Sequence, residues 1–374
     1  MIEKVINDLG IKEDELQSFE VEDTFNQRNI LRGFISIRPD YRYGTIAITH
    51  INDKEQYQIH FSTPKLHYPF DKNGHFNFPA AREIEIYEKL DGTNICAYRY
   101  FADDKEFQTY KLRLSPVVRN SKFGNFLDMW KEILEKYPQI YSVCAVNNCS
   151  ISFEIYGNKN THLIRYDKPI DVALLFGINN QTKIIQPSKL NTLNIPVAKL
   201  LSKISSQNEL IGEYIRFQNE IEIKNIKNED GTISGLEGLV WYLSSIKDTT
   251  IQFKCKPESI EKIHWAATES IDANIIKATA HNVLETEDII TYESTVKLLR
   301  EEFSEDQITR SNERIKKVVI ELQEWYEFKR NVLEIYNKLG IKIEENKAAV
   351  MKEMSMHFPK SLMKKVYSAV VQSE

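Results

Sequence analysis

The apolar residues of this 374-residue chain change their period once, at Pro257. Before it they come in short alternating or continuous runs bounded by turn residues; after it they recur every three to four positions almost to the end. Strands and helices that are segregated along a chain, rather than interleaved, indicate an α+β protein whose sheets are antiparallel. The length allows one large domain and a smaller one, or three modules with their own cores.

Taken in order, residues 1–80 read as a short helix followed by a strand-rich segment that packs on the next block. Ile2, Val5, Ile6 and Leu9 have helical spacing and Gly10 stops them; strands follow from Ile30, over Thr45 to Ile51 and over Tyr57 to Phe61, with turns at Pro39-Asp40 and Asn52-Asp53. Residues 81–260 form a second β-rich block. Its strands are predicted at Ile84 to Tyr87, Ile95 to Tyr100, Lys111 to Val118, Ser150 to Tyr156, Ile170 to Phe176, Gly238 to Leu243 and Thr250 to Cys255. A helix is predicted from Asn125 to Lys136, a helical insert from Pro187 to Gln218, and a polar hairpin around Asn228-Glu229-Asp230-Gly231. Residues 261–374 are an all-α domain: Ser304-Glu305-Asp306-Gln307 has the form of a capping box, the apolar period from Ile315 to Leu333 ends at Gly340, and a last helix spans Lys360 to Val371.

Composition narrows the setting. No apolar run approaches the roughly 20 residues of a membrane span, and no cationic segment followed by an apolar one opens the chain, so the expected location is the cytoplasm. Cys96, Cys144, Cys149 and Cys255 lack zinc spacing, which suits a reducing compartment, and His60, His67 and His75 straddle strands and turns as ordinary histidines do. A net charge of −5 argues against a protein that coats nucleic acid everywhere; phosphate binding has to be local.

The chemistry centres on Glu88-Lys89-Leu90-Asp91-Gly92-Thr93-Asn94, where a strand carries one lysine to a glycine-marked bend. A lysine attacks phosphorus only when neutral, so a nucleophilic Lys89 needs nearby cations or desolvation. Four later segments each hold charge inside an apolar strand or at its end: Val118-Arg119-Asn120-Ser121-Lys122-Phe123-Gly124, Ile151-Ser152-Phe153-Glu154-Ile155-Tyr156-Gly157, Leu236-Glu237-Gly238-Leu239-Val240 and Ile251-Gln252-Phe253-Lys254-Cys255-Lys256. Each alone is an ordinary charged strand. Together they supply a nucleophile, cations for equatorial phosphate oxygens and carboxylates for a divalent metal, which is what transfer of a nucleotidyl group requires.

This ordered set resembles the covalent nucleotidyltransferase superfamily of ligases and capping enzymes, and within it the ATP-dependent RNA ligases. The resemblance implies an ATP-grasp-like, antiparallel-sheet nucleotidyltransferase domain of the ligase type. It implies that Lys89 takes AMP in phosphoramidate linkage, that Glu88 and Asn94 contact adenine and the phosphate or metal waters, and that Leu90 lies beside the nucleotide. Arg119 would meet ribose and nucleic acid, with Arg113 on the same segment as its substitute. Glu154 would bind ribose or metal, Phe176 would stack on adenine, Glu237 would bind the metal, and Lys254 with Lys256 would close the set, Lys256 nearest the α-phosphate. Lys65 resembles a lysine that some phage RNA ligases place on the leaving pyrophosphate, and Arg32 is a weaker candidate for the same role.

The helices after Pro257 favour RNA ligases, since DNA ligases and capping enzymes generally continue with a β-rich domain. The implied cofactors are ATP and Mg²⁺ or Mn²⁺, and the implied partner is RNA with 5′-phosphate and 3′-hydroxyl ends; whether the chain forms a homodimer stays open. The alternatives are a DNA ligase, a capping guanylyltransferase, or a non-catalytic RNA-binding module whose aromatics stack bases.

Overall fold

The N-terminal helical period is realised as α1 (Ile2–Leu9), which buries Val5 and Leu9 and ends where Gly10 turns left-handed at φ 61°. In this computed structural model the described residues are all those of the chain except 27, 72–73, 123, 161, 205–208, 229–231, 246–248, 258–269, 372 and 374. Strands β1 (Leu16–Glu22), β2 (Ile30–Ser36), β3 (Ile46–Ile51) and β4 (Lys54–His60) follow as an antiparallel meander. Asn52 and Asp53 both adopt positive φ, 48° and 67°, as a tight hairpin with the twist of its strands demands. Strand β1 lacks a sequence signal because it is a largely exposed edge, with Gln17, Ser18 and Glu20 facing water.

The central block continues with β5 (Glu83–Lys89), β6 (Thr93–Ala102), β7 (Lys105–Leu112), α2 (Phe126–Lys136), α3 (Val143–Asn147), β8 (Ser150–Tyr156), β9 (Asp171–Ile178) and β10 (Ile184–Ile185). After them come β11 (Leu200–Ile204), α4 (Leu210–Lys224), the short pair β12 (Ile226–Lys227) and β13 (Ile233–Ser234), then β14 (Gly238–Ser244) and β15 (Thr250–Cys255). They build a five-stranded sheet in the order β10-β9-β8-β6-β7 and a four-stranded sheet in the order β11-β5-β14-β15, both antiparallel. Tyr87 and Tyr242 of the smaller sheet bury against Cys96, Phe176 and Ile178 of the larger, so the two sheets face each other. The other face of the larger sheet carries Ile95, Ile151 and Phe153 against Trp130 and Ile133 of α2.

Two expectations change here. The insert expected to be helical from Pro187 contains a single 3₁₀ turn, Pro187–Lys189, and then β11; its helix is α4, which runs on to Lys224. Positive φ at Leu193 and Asn194 with Pro196 beyond them breaks the helical path, and β11 instead completes the edge of β5. The strand expected at Lys111 to Val118 ends at Leu112 and begins earlier, at Lys105, past a hairpin at Asp103 and Asp104 with φ 47° and 61°. Pro116 lacks the amide hydrogen a continuing ladder needs. The hairpin expected around Asn228 falls between β12 and β13, with residues 229–231 outside the described set.

The C-terminal helices are α5 (Ala273–Val283), α6 (Tyr292–Leu299), α7 (Glu305–Leu339), α8 (Ile343–His357) and α9 (Met363–Val371). The capping box forms, with Ser304 and Gln307 side chains exchanging bonds with each other's backbone, and Gly340 ends α7 at φ 65°. Helix α8 has no clear sequence signal because its apolar period is broken by charge, and Asn346 within it is non-helical. Ile276 and Ala280 of α5, Val296 and Leu299 of α6 and Ile308 to Leu322 of α7 join the apolar cluster of the larger sheet. The far half of α7 forms a separate cluster with α8 and α9 around Val332, Val350 and Val366.

Candidate active site

Lys89 is the last residue of β5, and the chain then leaves one sheet for the other through Leu90-Asp91-Gly92. Gly92 is required by close approach: a Cβ there would sit 2.0 Å from the Ile155 carbonyl oxygen of β8. Asp91 fixes the crossover, its Oδ2 accepting from the amides of Leu163 and Ile164 at 2.6 Å while its own amide donates to the Tyr166 hydroxyl at 2.8 Å. The motif is the hinge between the two facing sheets.

Register brings the next residues to Lys89. Strand β14 lies between β5 and β15, pairing Gly238 with Lys89 and Leu239 with Cys255. Glu237, one residue earlier, therefore stands between Lys89 and Lys256 at the end of the sheet. Its carboxylate accepts from Lys89 Nζ through Oε2 and lies 3.3 Å from Lys256 Nζ through Oε1. Burial pushes the Glu237 carboxyl up, but Lys89 and Lys256 hold it below the ordinary glutamate value. Burial likewise pulls Lys256 down, and Glu237 with Glu302 outweighs it, leaving the ammonium raised.

The opposing sheet contributes Asn94 of β6 and Glu154 of β8, a directly paired couple. Asn94 Nδ2 donates to Ser152 Oγ at 3.0 Å and to the Phe153 carbonyl at 2.9 Å, while its buried Oδ1 has no partner among the described residues. Glu154 is half-buried, and that burial pushes its carboxyl up to about 8 against the opposing pull of Lys89 and Arg113. Arg113 enters where β7 ends, its buried Nε also lacking a partner. Buried, unpaired polar atoms aimed into a cleft are the kind of groups a ligand satisfies.

These side chains line one cleft of about 190 Å³, together with Asp91, Tyr43, Lys65, Lys254 and, from the C-terminal helices, Glu285, Glu301 and Glu302. Lys254 of β15 is buried, lies 4.4 Å from the Tyr68 ring centroid and donates to Glu302 Oε1 at 2.7 Å. Burial brings it down to about 8 in spite of Glu302. Lys65 pairs with Glu301, which also accepts from the Tyr43 hydroxyl at 2.9 Å. Burial raises Glu285 to about 7, opposed by Arg113 and Lys111.

Of the residues singled out in the sequence, Lys65, Lys89, Asn94, Glu154, Glu237, Lys254 and Lys256 line this cleft. Glu88 turns instead to the backbone of Lys199, accepting from its amide at 2.8 Å. Leu90 is buried beside the crossover, and Phe176 packs between the sheets with its ring centroid 6.3 Å from that of Tyr242. Arg119 pairs with Asp288 and with the carbonyl of Thr286, a cleft-lining residue, but does not itself line the cleft, whereas Arg113 does. Arg32 is held on the N-terminal sheet by Glu20 and Asp53. Tyr43, Glu285, Glu301 and Glu302 also line the cleft, and no local sequence pattern marks them. Asp91 was legible in principle, as the second carboxylate of the motif.

Among the described residues, no three His, Cys, Asp or Glu side chains are grouped to hold a metal by themselves. Glu154 and Glu237 facing one cleft fit instead a Mg²⁺ or Mn²⁺ that takes one or two carboxylates and completes its shell with phosphate and water. Among the same residues no helix is long and apolar enough to cross a membrane.

No protein-family model matches the chain, and no curated protein matches it. Similar solved structures include an archaeal ATP-dependent RNA ligase, 15% identical with a TM-score of 0.45 over 84% of this chain and 78% of that one. Another is a chain described as "Putative ATP-dependent DNA ligase from Aquifex aeolicus", 15% identical with a TM-score of 0.45 over 96% of this chain and 89% of that one. A third is a Naegleria gruberi RNA ligase mutant with ATP and Mn, 15% identical with a TM-score of 0.36 over 49% of this chain and 52% of that one.

Proposed function

We propose that this chain is an ATP-dependent RNA ligase that joins 5′-phosphate and 3′-hydroxyl ends through a covalent lysyl-AMP. The observation that carries the reading is the meeting, at one sheet crossover, of Lys89 with Glu237, Lys256, Glu154 and Arg113, drawn from four separate stretches of sequence. Lys89 Nζ, having given up a proton to solvent, attacks the α-phosphorus of ATP as the free amine; the bond to the bridging oxygen breaks, and pyrophosphate leaves with the electron pair. AMP then passes from Lys89 to an RNA 5′-phosphate, and the 3′-hydroxyl attacks that activated phosphate and expels AMP.

Within this scheme Lys256 and Arg113 neutralise charge on the equatorial phosphate oxygens, and Lys254 and Lys65 receive the leaving pyrophosphate. Glu237 holds Lys89 and Lys256 in position until substrate enters. Glu154 and Glu237 would hold a divalent cation, which supplies further charge neutralisation at the phosphates. Asn94 Oδ1 offers an acceptor to the nucleotide or its hydration shell.

RNA is preferred over DNA because helices, rather than a second β-rich domain, follow the closing lysines. The test is sealing of 5′-phosphorylated single-stranded RNA, nicked RNA duplex and nicked DNA duplex with ATP and Mg²⁺. Joining of RNA with transient RNA-adenylate supports the reading; joining of DNA alone overturns the substrate assignment.

A further inference from the structure

Among the described residues the cleft is lined by five cations, Lys65, Lys89, Arg113, Lys254 and Lys256, and six carboxyl groups, Asp91, Glu154, Glu237, Glu285, Glu301 and Glu302. Glu285, Glu301 and Glu302 come from turns beside the C-terminal helices. Glu301 and Glu302 pair with Lys65 and Lys254, so those two cations reach a polyphosphate only when the carboxylates leave them.

Space leads to the same conclusion. A volume of about 190 Å³ is below the roughly 300 Å³ at the lower end of small-molecule sites. Lys65 and Lys254 are only 12% and 7% exposed, each covered by the carboxylate it pairs with. The closing turn is anchored: Leu299 and Phe303 on either side of Glu301-Glu302 are buried in the apolar cluster shared with the larger sheet, and the Phe303 amide bonds the Leu299 carbonyl at 2.9 Å. Tyr43 of the N-terminal segment holds Glu301 from the other side.

We infer that Glu301 and Glu302 are specificity-determining residues that occupy the polyphosphate positions on Lys65 and Lys254, so that only a ligand carrying a di- or triphosphate displaces them and opens the cleft. The inference rests on the proposed nucleotidyl transfer for its ligand class. The carboxylates act as an intramolecular competitor: a nucleoside monophosphate brings too little charge to replace them, whereas a triphosphate replaces both and releases the turn between α6 and α7. After pyrophosphate departs they return to the same two lysines and disfavour its rebinding, which commits the reaction to the adenylylated enzyme.

The experiment measures binding of inorganic tripolyphosphate and of AMP by titration calorimetry to the full chain, its Glu301→Gln/Glu302→Gln variant and a Glu305→Gln control. Glu305 pairs with Arg300 at the surface next to the same turn. Tripolyphosphate should bind the double variant roughly tenfold more tightly than the parent, the size expected for removing about 1.4 kcal/mol of competing ion pairing, with AMP affinity and the control moved much less. Hydrogen exchange in the parent should show amides of residues 298–303 losing protection when tripolyphosphate is added. Unchanged or weaker tripolyphosphate binding by a double variant whose circular dichroism matches the parent overturns the inference. The two readings fail separately: tighter binding in a chain that never incorporates label from ATP leaves the displacement intact and removes the transferase, while label without the binding difference does the reverse.

Discussion

The two ends of the cleft hold their lysines in different ways. At one end Lys89 and Lys256 share Glu237, and all three come from neighbouring strands of one sheet, fixed by the β5-β14-β15 register. At the other end Lys65 and Lys254 are held by Glu301 and Glu302, which arrive from the turn between α6 and α7. A network inside one sheet is as rigid as the sheet's hydrogen bonds. One that spans a helical turn opens when that turn moves, at the cost of a few ion pairs rather than a sheet. In the proposed reaction the first would meet the reacting atoms and the second would admit and release phosphate.

The contrast breaks most sharply at Glu237. Glu237→Ala leaves two largely buried ammonium groups facing each other and should lower stability by about 4 kcal/mol, read by urea unfolding, because removing one partner of a buried pair exposes the other to its full desolvation cost. A loss under about 1 kcal/mol would mean that the two lysines do not depend on it. Lys254→Met comes next: it removes a cation from the phosphate end while preserving its packing, and should slow nucleotide transfer about 100-fold, the scale of deleting one transition-state charge contact, with little change in unfolding. Equal loss of rate and stability would erase the distinction between the ends.

Gly92→Ala tests whether the crossover is as tightly set as its geometry implies. A Cβ 2.0 Å from a backbone oxygen forces β5, β8 or the bend to move, which should cost about 2 kcal/mol in unfolding experiments. A further test is a pH dependence. Glu154 titrates near 8 in the folded chain and near 4.5 when unfolded, so between those values the folded state holds a proton the unfolded state has lost. Its contribution to stability is present below about 4.5 and fades as pH rises toward 8. Melting temperatures of the parent should therefore fall relative to Glu154→Gln across pH 5 to 8, and parallel curves would show that Glu154 titrates normally.

What was legible in the sequence follows the same division. Strands β8 and β15 match their predicted limits because apolar runs and flanking turns mark them locally. That Lys89, Glu237 and Lys256 could meet was legible too, since each sits in a short run of its own and register brings the three together. The phosphate end was not: Glu301 and Glu302 lie in Leu299-Arg300-Glu301-Glu302-Phe303, a turn like any other until it folds against Lys65, 236 residues away in sequence. Arg113 and Arg119 share one segment, and what separates them is where β7 stops, a boundary that periodicity does not resolve. Phe176 is assigned to adenine by the resemblance alone, and the packing of the two sheets gives its ring a structural neighbour in Tyr242.

In the proposed reaction Lys89 is the residue that accepts the nucleotide. Incubation with α-labelled ATP or GTP and Mg²⁺ or Mn²⁺, followed by denaturing electrophoresis and peptide mapping, tests it directly in the parent chain and in Lys89→Ala. Label from ATP should survive denaturation, map to the peptide containing Lys89 and be absent from the variant. Label from GTP alone, label that persists in Lys89→Ala, or no label in a folded preparation would contradict it.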